Sequence, residues 1–116
     1  MAISVILNDD ISVGTTEYSL MALANYDPGA AATTDGVYQL QLGLGDMTVS
    51  DELQVRIYEK CRSGDTQRIV HQVNLFGPQS QGYVFPSLVL MHGWDMTLDA
   101  IAGTTIVVDV LLWKVA

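Results

Sequence analysis

Apolar and polar residues alternate along much of this chain, with the two-residue period of a β-strand that has one buried face. Three segments show the alternation most clearly: Tyr38–Leu44, Leu53–Tyr58 and Ile69–Phe76. No stretch longer than about 10 residues keeps the i, i+3, i+4, i+7 spacing of an amphipathic helix without an interrupting Gly or Pro. The period therefore excludes a mainly helical fold and predicts an all-β protein.

Residues 53–76 are predicted to form one long β-hairpin. Two alternating segments flank residues 62–65, which are typical of a turn because Gly accepts positive φ and Asp and Ser bond to the local backbone. One face of the second strand is expected to carry Ile69, His71, Val73 and Leu75. The opposite face is expected to carry Val70, Gln72, Asn74 and Phe76.

Further strands are predicted at residues 18–23, 83–91, 94–101 and 105–115. Pro86 cannot donate a ladder hydrogen bond, so the strand that contains it is expected to be broken, bulged or at an edge. About eight short strands separated by turn residues indicate an antiparallel β-sandwich or barrel, and a jelly roll is the commonest arrangement of eight strands in this length. We therefore predict a single all-β domain over residues 1–116, an antiparallel, jelly-roll-like β-sandwich.

Two segments carry open alternatives. Residues 105–113 are apolar on both faces, which indicates a central strand covered on both sides or a strand whose outer face meets another subunit. Residues 1–12 begin with an alternating Ile3, Val5 and Leu7, and the pattern is then interrupted by polar residues. This segment forms either the first strand of the protomer's own sheet or an N-terminal arm that pairs with a neighbour.

Composition excludes several classes of protein. The formal net charge is −8, but only 16% of the 116 residues are charged and 49% are hydrophobic. Intrinsic disorder requires low hydrophobicity together with high charge, and binding of nucleic acid through overall charge requires a basic chain. A membrane span requires about 20 consecutive apolar residues, whereas residues 106–115 are interrupted by Asp109 and Lys114. We expect a compact domain that contacts neither nucleic acid nor membrane directly.

No set of residues predicts catalysis or a cofactor. The chain has no Gly-x-Ser-x-Gly motif, and His71 and His92 lie in unrelated contexts. Cys61 lies between two cations, which favour a reactive thiolate, but the sequence identifies no base for it, and a single cysteine suits a reducing cytosol. Asn8–Asp10 supplies oxygen atoms of the kind that calcium prefers, without the spacing of a calcium loop. We expect neither enzyme activity nor a metal or other cofactor.

The charges are unevenly distributed along the chain. Residues 1–55 contain eight acidic residues and neither Lys nor Arg. Four of the five basic residues follow within the predicted hairpin: Arg56, Lys60, Arg62 and Arg68. This predicts an acidic body with a basic finger at the hairpin tip. The finger is either a solvated tip or a surface that docks on an acidic patch of a neighbouring copy or of a larger partner.

The apolar excess indicates association. Two Trp, five Tyr, two Phe and five Met are plentiful relative to the charged residues available for a surface, and aromatic and Met residues are enriched at interfaces. We expect a homo-oligomer or a subunit of a larger assembly. The candidate interface residues are the four hairpin cations and the two tryptophans: Arg56, Lys60, Arg62, Arg68, Trp94 and Trp113.

Four stretches of the sequence resemble a family of small virion-associated proteins of tailed bacteriophages. They are YEKCRSGDTQR at 58–68, PSL at 86–88, HGWDMTL at 92–98 and AGT at 102–104. The resemblance extends from Asp35 to the end of the chain and is weaker over the residues that precede it.

The resemblance implies a structural protein, specifically a capsid decoration (cement) protein that binds the major capsid protein and reinforces the shell. Such proteins are commonly small β-sandwiches, often trimers on capsid three-fold axes, made in the bacterial cytoplasm and located on the capsid exterior. The resemblance implies no catalytic residue. Two other interpretations remain open. One is another virion subunit, such as a tail-tube, head-completion or baseplate protein; the other is a β-sandwich module that binds host glycans by stacking sugars on Trp94 or Trp113.

Overall fold

The computed structural model describes residues 3–27, 33–62, 64–79, 82–102 and 105–116. Within these ranges the chain forms nine strands and no helix. They are β1 (Ser4–Val13), β2 (Tyr18–Ser19), β3 (Ala24–Asn25), β4 (Gly36–Gly43), β5 (Glu52–Glu59), β6 (Arg68–Phe76), β7 (Tyr83–Leu90), β8 (Trp94–Ala102) and β9 (Ile106–Lys114). Over the same ranges, no helix is long and apolar enough to cross a membrane.

The strands form two antiparallel sheets that pack as a β-sandwich. Sheet A has the order β1-β9-β4-β7, and sheet B has the order β3-β2-β8-β5-β6. The pairing is nested, because β1 pairs with β9, β2 with β8, β4 with β7 and β5 with β6. This nested order is the jelly-roll arrangement, with β3 as an additional short strand at the edge of sheet B. The predicted fold class is confirmed.

The core lies between the two sheets and consists of the inward-facing residues of each strand. Sheet A contributes Ile11, Val13, Tyr38, Leu40, Leu42, Phe85, Leu90, Ile106, Val108, Val110 and Leu112. Sheet B contributes Leu53, Val55, Ile57, Leu75, Trp94, Met96, Leu98 and Ala100. Burying each large aliphatic side chain contributes about 1.5–3 kcal/mol relative to leaving it in water, so this double layer is the main source of stability.

The predicted hairpin is present, since β5 pairs with β6 and Val55 lies opposite Val73. Its second strand departs from the predicted faces. Val73 and Leu75 pack on the core as expected, and His71 lies on the same predicted face, opposite the core residue Ile57, although it is exposed at the sheet edge. Ile69 is 46% exposed and departs from the predicted face. The cause is twofold: β6 is an edge strand, and the register shifts by one residue at its start, so that Ile69 pairs with Tyr58.

The two segments with open alternatives are both placed in sheet A. Residues 4–13 form β1, which pairs with β9 of the same chain. Strand β9 is central, between β1 and β4, and its inner face is buried. Its outer face carries Val107, which is 38% exposed, and the half-buried Leu111 and Trp113. The described chain therefore covers β9 on its inner face only, and the outer face is open.

The loops gather at the two ends of the sandwich. The hairpin tip (residues 60–62 and 64–67), the loop 91–93 and the C-terminus after β9 lie at one end, which we name the hairpin end. The loop 44–51 lies at the opposite end, which we name the far end. These two ends and the two outer sheet faces are the surfaces on which function can be placed.

Candidate interaction surfaces

The outer surface of sheet A carries apolar side chains on all four strands, with Gln39 and Gln41 of β4 between them. We name it face A and define it by residues from all four strands: Val5, Val37, Val84, Val89, Leu111 and Trp113. In the register of the sheet, Trp113 lies between Val5 on β1 and Gln39 on β4, and Val37 lies opposite Val89. Val5 is 59% exposed and Val89 is 63% exposed. Clustered apolar exposure of this kind marks an interaction site more often than scattered single residues do.

Face A ends in an acidic rim towards the far end. Asp10 on β1 lies directly opposite Asp109 on β9, and like charges in this position are destabilising. A depression of about 560 Å³ lies here, lined by Asn8, Asp9, Asp10, Gln41, Gly43 and Asp109 together with Val110 and Leu111. A Cβ at Gly43 would stand 3.1 Å from Cβ of Asp109, so glycine leaves room for that carboxylate. Among the described residues, no group of three or more His, Cys, Asp or Glu could hold a metal ion.

The predicted basic finger is smaller than expected, because Arg56 does not lie at the hairpin tip. It is within β5, on the outer face of sheet B, where its Nη1 lies 3.6 Å from Oε1 of Glu17. Its Nε donates a 3.0 Å hydrogen bond to Oε1 of Gln72. The expected position of Arg56 at the hairpin tip is therefore wrong, because position along the chain does not distinguish a residue within a strand from one at the turn.

The remaining four cations do share one end of the molecule. Lys60, Arg62 and Arg68 border the hairpin tip, and Lys114 ends β9 at the same end. Arg62 makes a 3.7 Å ion pair with Asp65, but its side chain is 84% exposed, and such exposed pairs contribute about 0–1 kcal/mol. Arg62 is thus free to exchange this partner for another. The far end has no Lys or Arg, so the protein is electrically polarised along the strands.

The outer face of sheet B is polar, and residues before and after β2 and β3 cover part of it. Oε2 of Glu17 accepts hydrogen bonds from the hydroxyls of Tyr58 (2.7 Å) and Thr97 (2.5 Å). The ring of Tyr26 stacks on that of Tyr58 with centroids 4.3 Å apart. We name Glu17, Arg56, Tyr58 and Thr97 the Glu17 cluster. Burial and the bond to Glu17 raise the pKa of Tyr58 to about 12, so its hydroxyl remains a hydrogen-bond donor at neutral pH.

A buried carboxyl lies beside this cluster. Asp95 is 1% exposed, Oγ of Ser19 lies 2.8 Å from both of its oxygens, and the backbone N–H of Met96 donates to Oδ1 at 2.8 Å. Burial raises the pKa of Asp95 above its ordinary value. The sequence interpretation did not identify Asp95 or the Glu17 cluster. The signal for them is the alternation of polar residues with Met96 and Leu98 in β8, which marks a polar outer face.

The two tryptophans occupy different environments. Trp94 is 1% exposed, its ring lies 4.6 Å from that of Tyr38, and its Nε1 donates a 3.1 Å hydrogen bond to the carbonyl of Thr34. Trp94 is therefore a core residue, and its expected role as an interface or sugar-stacking residue is wrong. Trp113 is half-buried within face A, where a partner can reach part of its ring.

The residues considered for catalysis lie apart from one another in the fold. Cys61 is exposed at the hairpin tip. The His71 ring meets that of Phe85 edge-on at 5.4 Å, and His92 lies in the turn between β7 and β8 with φ of 64°. The fold thus places each of them in a separate setting.

Three surfaces are distinguished by their chemistry. Face A carries apolar side chains and ends in an acidic rim, the hairpin end is cationic, and the outer face of sheet B carries the Glu17 cluster under a partial cover. The structure brings the candidate interface residues Lys60, Arg62 and Arg68 together at the hairpin end, and it places Trp113 on face A. No protein-family model matches the chain, and no curated protein or solved structure is found to be similar to it.

Proposed function

We propose that the protein is a structural subunit of a tailed-bacteriophage virion, specifically a capsid decoration protein that binds the major capsid protein on the shell exterior and stabilises the shell. The observation that carries this proposal is face A. Apart from Asp109, the central part of strand β9 is apolar on both sides, and the described chain covers only its inner side. A surface of this kind supports a role in association, in agreement with the family resemblance of the sequence.

Face A has the properties that durable association requires. It is built on four hydrogen-bonded strands, so little conformational freedom is lost when a partner binds. A standard interface buries about 1,600 Å² in total, and on a symmetric shell each such contact is repeated many times. Binding of this type needs apolar area and shape, and it needs no reactive group.

The charges next to face A specify the chemistry of the partner surface. Asp10 and Asp109 form its rim, so the shell surface that covers it should present an apolar centre flanked by Lys or Arg. This complementarity would steer the encounter and fix the orientation of the subunit. The cations of the hairpin end remain available for a second, acidic neighbour.

Two other functions can be separated from that of a decoration protein by experiment. A tail-tube, head-completion or baseplate subunit would also use face A, but it would occur in a few copies per particle. A glycan-binding module now has only Trp113 as a stacking residue, because Trp94 lies in the core.

Quantitative mass spectrometry of purified virions tests the proposal. A decoration protein is expected in a copy number that matches the major capsid protein. A few copies per particle would reassign it to another virion substructure, and its absence from purified particles would overturn a structural role. A glycan array with strong selective binding would favour the sugar-binding alternative.

A further inference from the structure

The two sheets present four edge strands, β1 and β7 in sheet A and β3 and β6 in sheet B. An exposed edge offers unpaired backbone groups to another chain, and folded proteins usually block it. Three of these edges are blocked. Strand β1 has a register shift between Val5 and Leu7 and carries acidic residues, β3 is two residues long, and β7 contains Pro86 followed by Ser87 with φ of 54°.

Strand β6 lacks these protections over most of its length. It has nine residues, none of which is Pro, Gly, Asp or Glu, and Arg68 at its start is its only Lys or Arg. Its register with β5 is regular from His71 to Phe76, and the shift at its N-terminal end precedes this part. Val70 is 51% exposed and Phe76 is 60% exposed. The register shift leaves Val70 without a partner on β5, and the carbonyl of Phe76 already accepts a hydrogen bond from Nε2 of Gln79. Between these two residues the edge is regular and uncharged, as in a strand that pairs with another chain.

We propose that β6 pairs antiparallel with β6 of a second copy of this chain, about a two-fold axis at Val73. The contact joins two five-stranded sheets into one sheet of ten strands. In this register, residues whose numbers sum to 146 face each other. Within the regular part of the strand the pairs are His71 with Leu75, Gln72 with Asn74, and Val73 with Val73 of the second copy. Val70, which the register shift leaves without a partner on β5, lies next to Phe76 of the second copy.

The strand is self-complementary in this register. Residues 70–76 contain no Lys, Arg, Asp or Glu, so no like charges are opposed, and each apolar side chain on the outer face meets another. If the two-fold axis passed through Gln72 instead, Val70 would face Asn74, which opposes an apolar group to an amide. If the register shifted by one residue, the core-facing side chains of the two copies would lie on opposite sides of the joined sheet.

The amides supply a specific contact. Oε1 of Gln72 accepts a hydrogen bond from Arg56, whereas its Nε2 has no acceptor within the described part of the chain. Oδ1 of Asn74 accepts one bond from Gln54 at 3.3 Å, and an amide oxygen can accept two. Gln72 Nε2 therefore donates to Oδ1 of Asn74 of the second copy, and the two-fold axis repeats this bond.

The symmetry and the strength of the contact follow from its geometry. A contact of one surface with itself is closed at two copies, so the expected oligomer is a dimer instead of the trimer that the resemblance implies. Pairing of one strand buries less than the roughly 1,600 Å² of a standard interface. The dimer should therefore dissociate on dilution, and attachment to a common surface would strengthen it through effective concentration. The contact does not involve face A, so its failure would leave the proposed function standing.

Light scattering after size-exclusion chromatography, over a range of protein concentrations, tests the proposal. The wild type should approach twice the 12.6 kDa of the monomer at high concentration. V70E/F76E opposes carboxylates at both ends of the contact and should remain a monomer. V70K/F76E removes the same apolar side chains but opposes Lys to Glu, and it should dimerise. A wild-type monomer or trimer, a dimeric V70E/F76E, or a monomeric V70K/F76E would overturn the proposal.

Hydrogen exchange of the wild type provides a measurement that does not depend on folding of the variants. Backbone amides of β6 that point away from β5 should exchange more slowly as protein concentration rises, whereas those of β7 should not change. Equal exchange of β6 at low and high concentration would overturn the pairing.

Discussion

The hydroxyl of Tyr58 donates a 2.7 Å hydrogen bond to Oε2 of Glu17, across 41 positions of sequence. This bond attaches the residue that precedes β2 to the middle of sheet B. It also holds the Tyr26 ring against the Tyr58 ring, since the backbone N–H of Tyr26 donates to the carbonyl of Glu17. The Glu17 cluster thus holds residues before and after β2 and β3 against the outer face of sheet B.

Removal of the Tyr58 hydroxyl should destabilise the fold. Y58F leaves the partly buried Glu17 carboxylate without one of its donors, and hydrogen bonds to charged groups contribute about 1.5–3 kcal/mol. Urea unfolding should therefore show a loss of this size. Y83F is the matched control, because the Tyr83 hydroxyl makes no hydrogen bond within the described residues, and its loss should stay below about 0.5 kcal/mol. Equal losses for the two variants would contradict the role of the bond.

Reversal of Arg56 should act on stability, whereas reversal of Arg62 should not. R56E places a second carboxylate beside Glu17, so we expect a loss of about 1–2 kcal/mol. R62E affects a side chain that is 84% exposed and should change the free energy of unfolding by less than about 0.5 kcal/mol. Chemical denaturation of both variants tests these two expectations. If R56E unfolds at the wild-type urea concentration, the ion pair with Glu17 is not part of the folded protein.

The two tryptophans should respond in opposite ways to truncation. W94A removes a core side chain and should cost about 3–5 kcal/mol. W113A removes a half-buried side chain of face A and should cost about 1 kcal/mol, while lowering the occupancy of the protein on purified particles. Thermal unfolding and virion mass spectrometry separate the two effects. Normal occupancy of W113A would exclude its ring from the interface.

Charges introduced on face A should abolish shell binding without unfolding the protein. V84E/V89E alters two side chains that are 43% and 63% exposed, and desolvating two carboxylates at an apolar contact should reduce occupancy at least about tenfold. V49E is the control, because Val49 is 85% exposed outside face A. Unchanged occupancy of V84E/V89E would move the contact to another surface.

Asp95 should make stability depend on pH. Burial raises its pKa above 3.8, so between that value and the folded pKa the folded state binds more protons than the unfolded state. The free energy of unfolding therefore falls as pH rises through this interval. Because Asn does not titrate, the stability of the wild type minus that of D95N should decrease from about pH 3 to about pH 7. An increase would mean that the site stabilises the Asp95 anion.

The architecture is predictable from the sequence because a two-residue period and turn chemistry are local properties. The hairpin of β5 and β6 follows from its alternation, and the apolar outer face of β9 follows from residues 105–113. Local patterns also fail at identifiable points. The register shift at the start of β6 has no sequence signal, since it depends on how Tyr58 meets its partner strand, and it turns Ile69 away from the predicted face.

The candidate site was harder to predict because it depends on contacts between distant parts of the chain. Arg56 and Lys60 are close in sequence, but one lies within a sheet beside Glu17 and the other borders the tip. Trp94 and Trp113 are equally aromatic, and only the orientation of their strands places one in the core and the other on face A. Charge and hydrophobicity identify candidates, and topology decides between them.

The distribution of edge protection determines the growth of any assembly that uses strand pairing. Because three edges are blocked, each molecule can pair with another through only one strand, and a sheet extended in this way ends at two copies. A second open edge would let each molecule pair on two sides, and the sheet could then grow into a fibre. Pro86 and the positive φ of Ser87 in β7 are therefore the features that keep such an assembly at two copies, because an open β7 would allow a further copy to pair.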